Sequence, residues 1–144
     1  MELLHLQMSD VKVWDEIKHF PYTSIRLGIQ FEHYPDKRAE WLSKREFFEL
    51  VHEDKHIALI IGDRCYDKNG VYGFYINKLE VNKPYRKNGY GSLIIKKIVE
   101  LYKPNFISLC ARSYRLMHRY YLKIGFYRIG WRRVRRDYKY TEEV

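Results

Sequence analysis

The chain has 144 residues, 46% of them hydrophobic and 17% aromatic, with 27 Lys and Arg against 18 Asp and Glu for a net charge of +9. That is enough for one domain with its own core, expected over residues 1–144, and too apolar for intrinsic disorder. No apolar run approaches the roughly 20 residues of a membrane helix, Met1-Glu2-Leu3-Leu4-His5 lacks the pattern of a secretory signal, and Cys65 and Cys110 are too scattered for a disulfide framework, so a cytoplasmic location is expected.

Leu3, Leu4 and Leu6 suggest a short first strand. Ser9-Asp10 reads as a helix cap, followed by Val11, Trp14, Ile17 and Lys18 at helical spacing, with Pro21 as the stop. A loop containing Gly28 leads to Pro35-Asp36-Lys37, a second helix start running through Trp41 and Leu42. Residues 46–82 read as a three-stranded meander. Its strands are 47–51, then 57–61 closing at Gly62-Asp63, then 71–81, with a turn at Glu53-Asp54-Lys55. Asp67-Lys68-Asn69-Gly70 carries a hairpin signal, since Asn-Gly accommodates positive φ. A helix over 92–102 places Ile94, Ile98 and Leu101 on one face and lysines on the other, and Pro104 stops it. Residues 106–111 form an apolar strand of the buried, parallel type. Residues 114–124 form a helix ended by Gly125 as a left-handed cap, and two strands follow near 126–130 and 134–140.

The densest chemistry lies where the third meander strand meets the next helix. Leu79-Glu80-Val81 runs into Asn82-Lys83-Pro84-Tyr85-Arg86-Lys87-Asn88-Gly89-Tyr90-Gly91-Ser92, a basic, glycine-punctuated loop. The first amides of a helix have no internal partners, and the helix dipole adds partial positive charge at the same end. Gly89 and Gly91 lack the Cβ atoms that would hold an anion away from those amides. Arg86 and Lys87 add full charges. Such a loop suits a pyrophosphate, although R-x-x-G-x-G is short enough to recur by chance as a plain helix start.

Context sharpens the reading. A strand, this loop, a helix, a second strand and a Tyr-rich helix ending in Gly-Phe resemble, in that order, the GNAT family of N-acetyltransferases over roughly residues 46–130. The resemblance implies a mixed α+β fold. Its central sheet would be mostly antiparallel, of six to seven strands splayed between the fourth and fifth, flanked by about four helices. It implies an acyltransferase that moves an acetyl group from acetyl-CoA, the donor cosubstrate, to a primary amine, with no metal. The CoA pyrophosphate would sit on Arg86, Lys87, Asn88, Gly89, Tyr90, Gly91 and Ser92, and the backbone of Leu79, Glu80 and Val81 would bind the pantetheine arm.

Acetyl transfer from a thioester to an amine needs a neutral amine, a donor for the oxyanion and a proton for the leaving thiolate. Tyr120-Tyr121-Leu122-Lys123-Ile124-Gly125-Phe126 matches the family pattern of an aromatic, Tyr, three residues and Gly-Phe. The match assigns Tyr121 as general acid toward the CoA sulfur. A phenol stays protonated at neutral pH and tolerates an apolar crevice. With 14 tyrosines in the chain, an ordinary core or surface tyrosine is the competing reading. Tyr114 and Met117 depart from the Asn and Ala that family members often carry there, leaving Ser113 to cap the helix and Arg115 to reach a phosphate. Pro84 also lies one place later than the family's proline. Glu80 is the candidate general base, because a partly buried carboxylate acquires a raised pKa; an ion pair with a Lys or Arg is its alternative. The register where some members carry a carboxylate holds Tyr75.

His52-Glu53-Asp54-Lys55-His56 also satisfies H-E-x-x-H, whose zinc chemistry needs both histidines on one helix face. The flanking runs are β-like and Asp54-Lys55 is fully polar, which puts the motif on a turn. His5, His19, His33 and His118 read as isolated surface or hydrogen-bonded residues, and Cys110 as an inert small hydrophobe. No activated nucleophile is evident, so a covalent enzyme intermediate is not expected. Arg128, Arg132, Arg133, Arg135, Arg136 and Lys139 form a late basic run, either a solvated strand face or a docking patch for RNA or an acidic protein. The same run supports an alternative function, a non-catalytic binding module on this scaffold. Monomer and homodimer are both compatible with the sequence.

Overall fold

The computed structural model describes residues 1–5, 10–111 and 114–140, so Ser9 and Ser113 lie outside the described residues, as does the Arg115 side chain. A seven-stranded sheet runs in the order β1-β2-β3-β4-β5-β7-β6. The strands are β1 (Glu2–His5), β2 (Glu46–His52), β3 (Lys55–Tyr66), β4 (Tyr72–Val81), β5 (Phe106–Cys110), β6 (Tyr127–Gly130) and β7 (Arg133–Asp137). Among the described residues only β4 and β5 pair in parallel; the other neighbours are antiparallel.

Both faces of the sheet are covered, which explains why its central strands are continuous apolar runs rather than alternating ones. On one face Phe48, Leu50, Ile60 and Ile76 pack with Ile94, Ile95 and Ile98 of α4 (Tyr90–Tyr102) and with Tyr121 of α5 (Tyr114–Lys123). On the other, Phe47, Leu59 and Ile61 meet α1 (Asp10–Ile17), α2 (Pro21–His33) and α3 (Arg38–Ser43). Leu101 is 52% exposed, and Ile95 takes its expected place in the core.

The largest difference from the expected elements is α2. Pro21 opens this helix rather than ending the previous one, and Gly28 lies inside it. A proline at the first helical position loses no hydrogen bond. The next two amides, of Tyr22 and Thr23, donate to the carboxylate of Glu80 at 3.2 and 2.6 Å. Thr23, Leu27 and Phe31 then bury one face at four-residue spacing. β3 also continues past Gly62-Asp63 to Tyr66. A Cβ on Gly62 would stand 2.4 Å from the carbonyl oxygen of Tyr75, so glycine allows the close approach of β4.

Both expected turns form. Glu53 and Asp54 take φ of 49° and 61° at the β2–β3 turn, which places H-E-x-x-H on a hairpin rather than a helix. Asp67 accepts the amides of Asn69 and Val71 at 2.8 and 2.9 Å, and Gly70 adopts φ of 78°.

The sheet splays where β4 leaves β5. Their pairing runs only from Gly73↔Phe106 to Ile76↔Leu109. Opposite β3, Ile76 faces Gly62 and Lys78 faces Ile61, so Asn77 is an extra residue that bulges β4. Beyond Ile76 the edge of β4 toward β5 is unpaired by any described strand.

Candidate active site

The loop after β4 is held in shape by its own side chains. Arg86 Nε donates to the carbonyl of Val81 at 2.9 Å, and Asn88 Nδ2 donates to those of Tyr85 and Arg86 at 3.2 and 3.1 Å. Lys87 and Gly89 take left-handed φ of 67° and 79°, and Gly89 is the N-cap of α4. Among the described residues no side chain caps this helix. Its first internal bond runs from Leu93 N to Gly89 O at 3.0 Å, leaving the amides of Tyr90, Gly91 and Ser92 without helical acceptors. A Cβ on Gly89 would meet nothing within 4 Å, so the approach is open, and Arg86 and Lys87 are exposed beside it. This bare, positively polarised helix end fits a diphosphate.

The two glycines have different roles. A Cβ on Gly91 would stand 2.5 Å from the Tyr120 hydroxyl, so Gly91 lets α5 close onto α4. Tyr120 Oη then lies 3.2 Å from Ser92 Oγ. Tyr121, its neighbour, is 2% exposed and packs edge-on against Phe126 at 5.5 Å between ring centroids. Burial, with a smaller effect of Tyr120, holds its hydroxyl well above the usual phenol range.

Tyr121 lines an open cleft formed where β4 and β5 separate. Ile76, Asn77, Lys78 and Leu79 form one wall, and Leu109, Cys110 and Ala111 the other. Tyr22 and Arg26 of α2 close the side, with the guanidinium carbon 5.2 Å from the Tyr22 ring centre. Leu79 and Val81 lie on the unpaired segment leading to the glycine-containing loop before α4. The structure thus gathers Tyr121, the free edge of β4 and the bare end of α4. It turns Glu80 elsewhere: this residue is 6% exposed, both its oxygens accept α2 amides, and it is not among the cleft walls. Tyr22 and Arg26 reach the cleft only through α2, which Pro21 disguises in the sequence as a helix stop. The usable signal was Pro21 followed by Thr23, Leu27 and Phe31.

The basic run divides. Arg135 is tied to Asp67 at 3.0 Å and Asp137 at 2.8 Å, above the ring of Phe106. Arg136 donates to the carbonyl of Ile124 at 2.7 Å. Both serve the fold. Arg128 and Arg133 are exposed, and Arg132 stands 4.0 Å from the ring centre of Trp131, itself 79% exposed.

The acetyltransferase (GNAT) family pattern matches residues 12–126. Among solved structures the chain is similar to an aminoglycoside 6'-N-acetyltransferase complexed with coenzyme A, with TM-score 0.65 and 17% identity over 99% of this chain and 100% of that one. An aminoglycoside 6'-acetyltransferase type Ii gives 0.64 and 20% over 95% and 97% of the two chains. The Bacillus subtilis N-acetyltransferase YlbP in complex with coenzyme A gives 0.60 and 17% over 94% and 95%. At these identities the likeness is one of fold. No curated protein sequence matches. The family match spans the splayed strands, the glycine-containing loop after β4 and the helix of Tyr121, and the chain belongs to the GNAT family of acetyl-CoA-dependent N-acetyltransferases.

Proposed function

We propose that the protein transfers the acetyl group of acetyl-CoA to a primary amine by direct attack in a ternary complex, with Tyr121 as general acid. The observation that carries this reading is the burial of Tyr121 in the wall of the cleft between the diverging strands. The amides of Tyr90, Gly91 and Ser92, with Arg86, Lys87 and Asn88 shaping and charging the loop, hold the diphosphate. The free edge of β4 at Leu79, Glu80 and Val81 offers backbone groups to the pantetheine arm. The amine nitrogen forms its bond to the thioester carbon, the C–S bond breaks, and the phenol proton passes to the departing sulfur. Tyr121 suits that task because its raised pKa keeps it protonated at neutral pH.

Glu80 acts as the cap that sets α2 against the cleft, and a solvent molecule or the bulk takes the proton from the amine. The acceptor is a small molecule, a protein N-terminus or lysine, or an aminoacyl-tRNA. Arg26 in the cleft wall favours an amine carried beside a carboxylate or phosphate over a polycation such as an aminoglycoside. A screen of amines with acetyl-CoA, detecting free thiol, tests the reading. Turnover on an anionic amine supports it, and turnover on aminoglycosides alone would contradict the acceptor assignment.

A second reading concerns the β6–β7 hairpin. Exposed Trp131 with Arg132 stacked on it, flanked by Arg128 and Arg133, combines an aromatic platform with positive charge, as RNA-binding surfaces do. Such a surface would deliver a nucleic acid-borne acceptor. Salt-sensitive RNA binding lost in Trp131→Ala with Arg133→Ala would establish it, and binding that survives both changes would not.

A further inference from the structure

Outside the cleft walls, four side chains from separate elements meet near the β2–β3 turn. His56 of β3 stacks on His19, just after α1, with ring centroids 3.7 Å apart and planes 5° from parallel. Nδ1 of His56 contacts Oε1 of Glu49 from β2 and lies 3.6 Å from Oε2 of Glu16 in α1. Asn82, directly after β4, donates through Nδ2 to the carbonyls of His19 and His56 at 2.9 and 2.8 Å. One amide therefore pins the backbone under both rings.

The donor atoms of Glu16, His19 and His56 all lie within 4.8 Å of one another. Beside them, Glu49 is fully buried and its Oε2 has no hydrogen-bond partner among the described residues. A buried carboxylate oxygen without a partner is rare in a folded core. The imidazole of His56 stands between the two carboxylates and brings donors from α1, β2 and β3 to one point. We propose that Glu16, His19, His56 and Glu49 form a binding site for a divalent transition metal of the zinc type. Four-coordinate zinc with bonds of about 2.0–2.2 Å holds its ligand atoms roughly 3.3 Å apart, so the set closes on the ion by side-chain rotation. Mixed imidazole and carboxylate donors select zinc over magnesium or calcium, which prefer all-oxygen sites.

The ion fastens α1 and the link to α2 against β2 and β3. It takes no part in acetyl transfer, and the H-E-x-x-H arrangement is not its basis. That arrangement requires His52, which is half exposed and meets Glu53 at 3.7 Å on the turn.

The metal-stripped full chain should be titrated with Zn²⁺ by calorimetry, with retained zinc counted by elemental analysis and Co²⁺ as an absorbance probe of coordination. One zinc per chain, a raised melting temperature and unchanged CoA binding are expected. Glu16→Gln with His19→Ala, both at accessible positions, should weaken zinc binding by about 10²-fold or more, while His52→Ala leaves it unchanged. CoA binding by the double variant reports that it has folded. No retained zinc, binding that survives the double substitution, or binding lost with His52→Ala would each overturn the site.

Discussion

At Tyr121 the packing of the core and the proposed chemistry meet in one side chain. Its ring fills the core between Tyr120 and Phe126, while the residue borders the cleft. Tyr121→Phe keeps the ring and removes only the proton. Turnover should fall about 10²-fold, the lower range for a lost general acid, with the acetyl-CoA dissociation constant nearly unchanged; steady-state kinetics beside calorimetry would show the split. The pH dependence follows from the direction of the shift. The protonated phenol is the active form, and burial raises its pKa above the ordinary value of 10.0. Its contribution is complete below that value and fades only above it, so no loss of rate below pH 10 should belong to Tyr121. Cys110, also in the cleft wall, tests direct attack. Cys110→Ala should retain most turnover, whereas an inactive variant with intact CoA binding would indicate an acyl-enzyme.

At the scale of elements, α2 shows what periodicity and punctuation failed to reveal. Pro21 follows an amphipathic helix and reads as its stop, yet proline is equally at home in a first helical turn. What decides is Glu80, 57 residues from Thr23, whose carboxylate accepts the amides there. A long-range cap leaves no local trace in sequence. Glu80→Gln keeps one acceptor but turns an NH₂ toward an amide donor, and thermal unfolding should show a loss of about 1–2 kcal/mol. If Glu80 were also the base, turnover would fall far beyond what the loss of stability explains. The meander, the Asp67–Gly70 turn and the Gly125 cap were legible because each rests on local rules: apolar runs, an Asn-Gly pair and a left-handed φ of 100°. The position of Glu80 in β4 suggests chemistry from the sequence, whereas in the fold its carboxylate accepts two α2 amides.

For the whole molecule, the splay organises function. A tightly packed seam at Gly73 and Phe106, a bulge at Asn77 and the unpaired edge beyond it open the sheet where α4 begins and Tyr121 lies. The sequence carried the two ends of that arrangement, the glycine loop and the tyrosine register. Arg26 and Lys78 in the cleft wall became visible only once the chain was folded. The net charge of +9 is likewise divided by folding. Arg135 and Arg136 are spent on internal contacts, while Arg86, Lys87, Arg128 and Arg133 face solvent.

Calorimetric titration with CoA, and with a pantetheine fragment lacking the diphosphate, tests most directly whether the bare end of α4 holds that group. CoA should bind one per chain and the fragment about 10²-fold more weakly, as loss of several charge-assisted bonds requires. Gly89→Val, which strains a left-handed residue and crowds the loop, should weaken CoA about tenfold and leave the fragment unaffected. Equal affinity for CoA and the fragment, or no heat with CoA at all, would contradict the account.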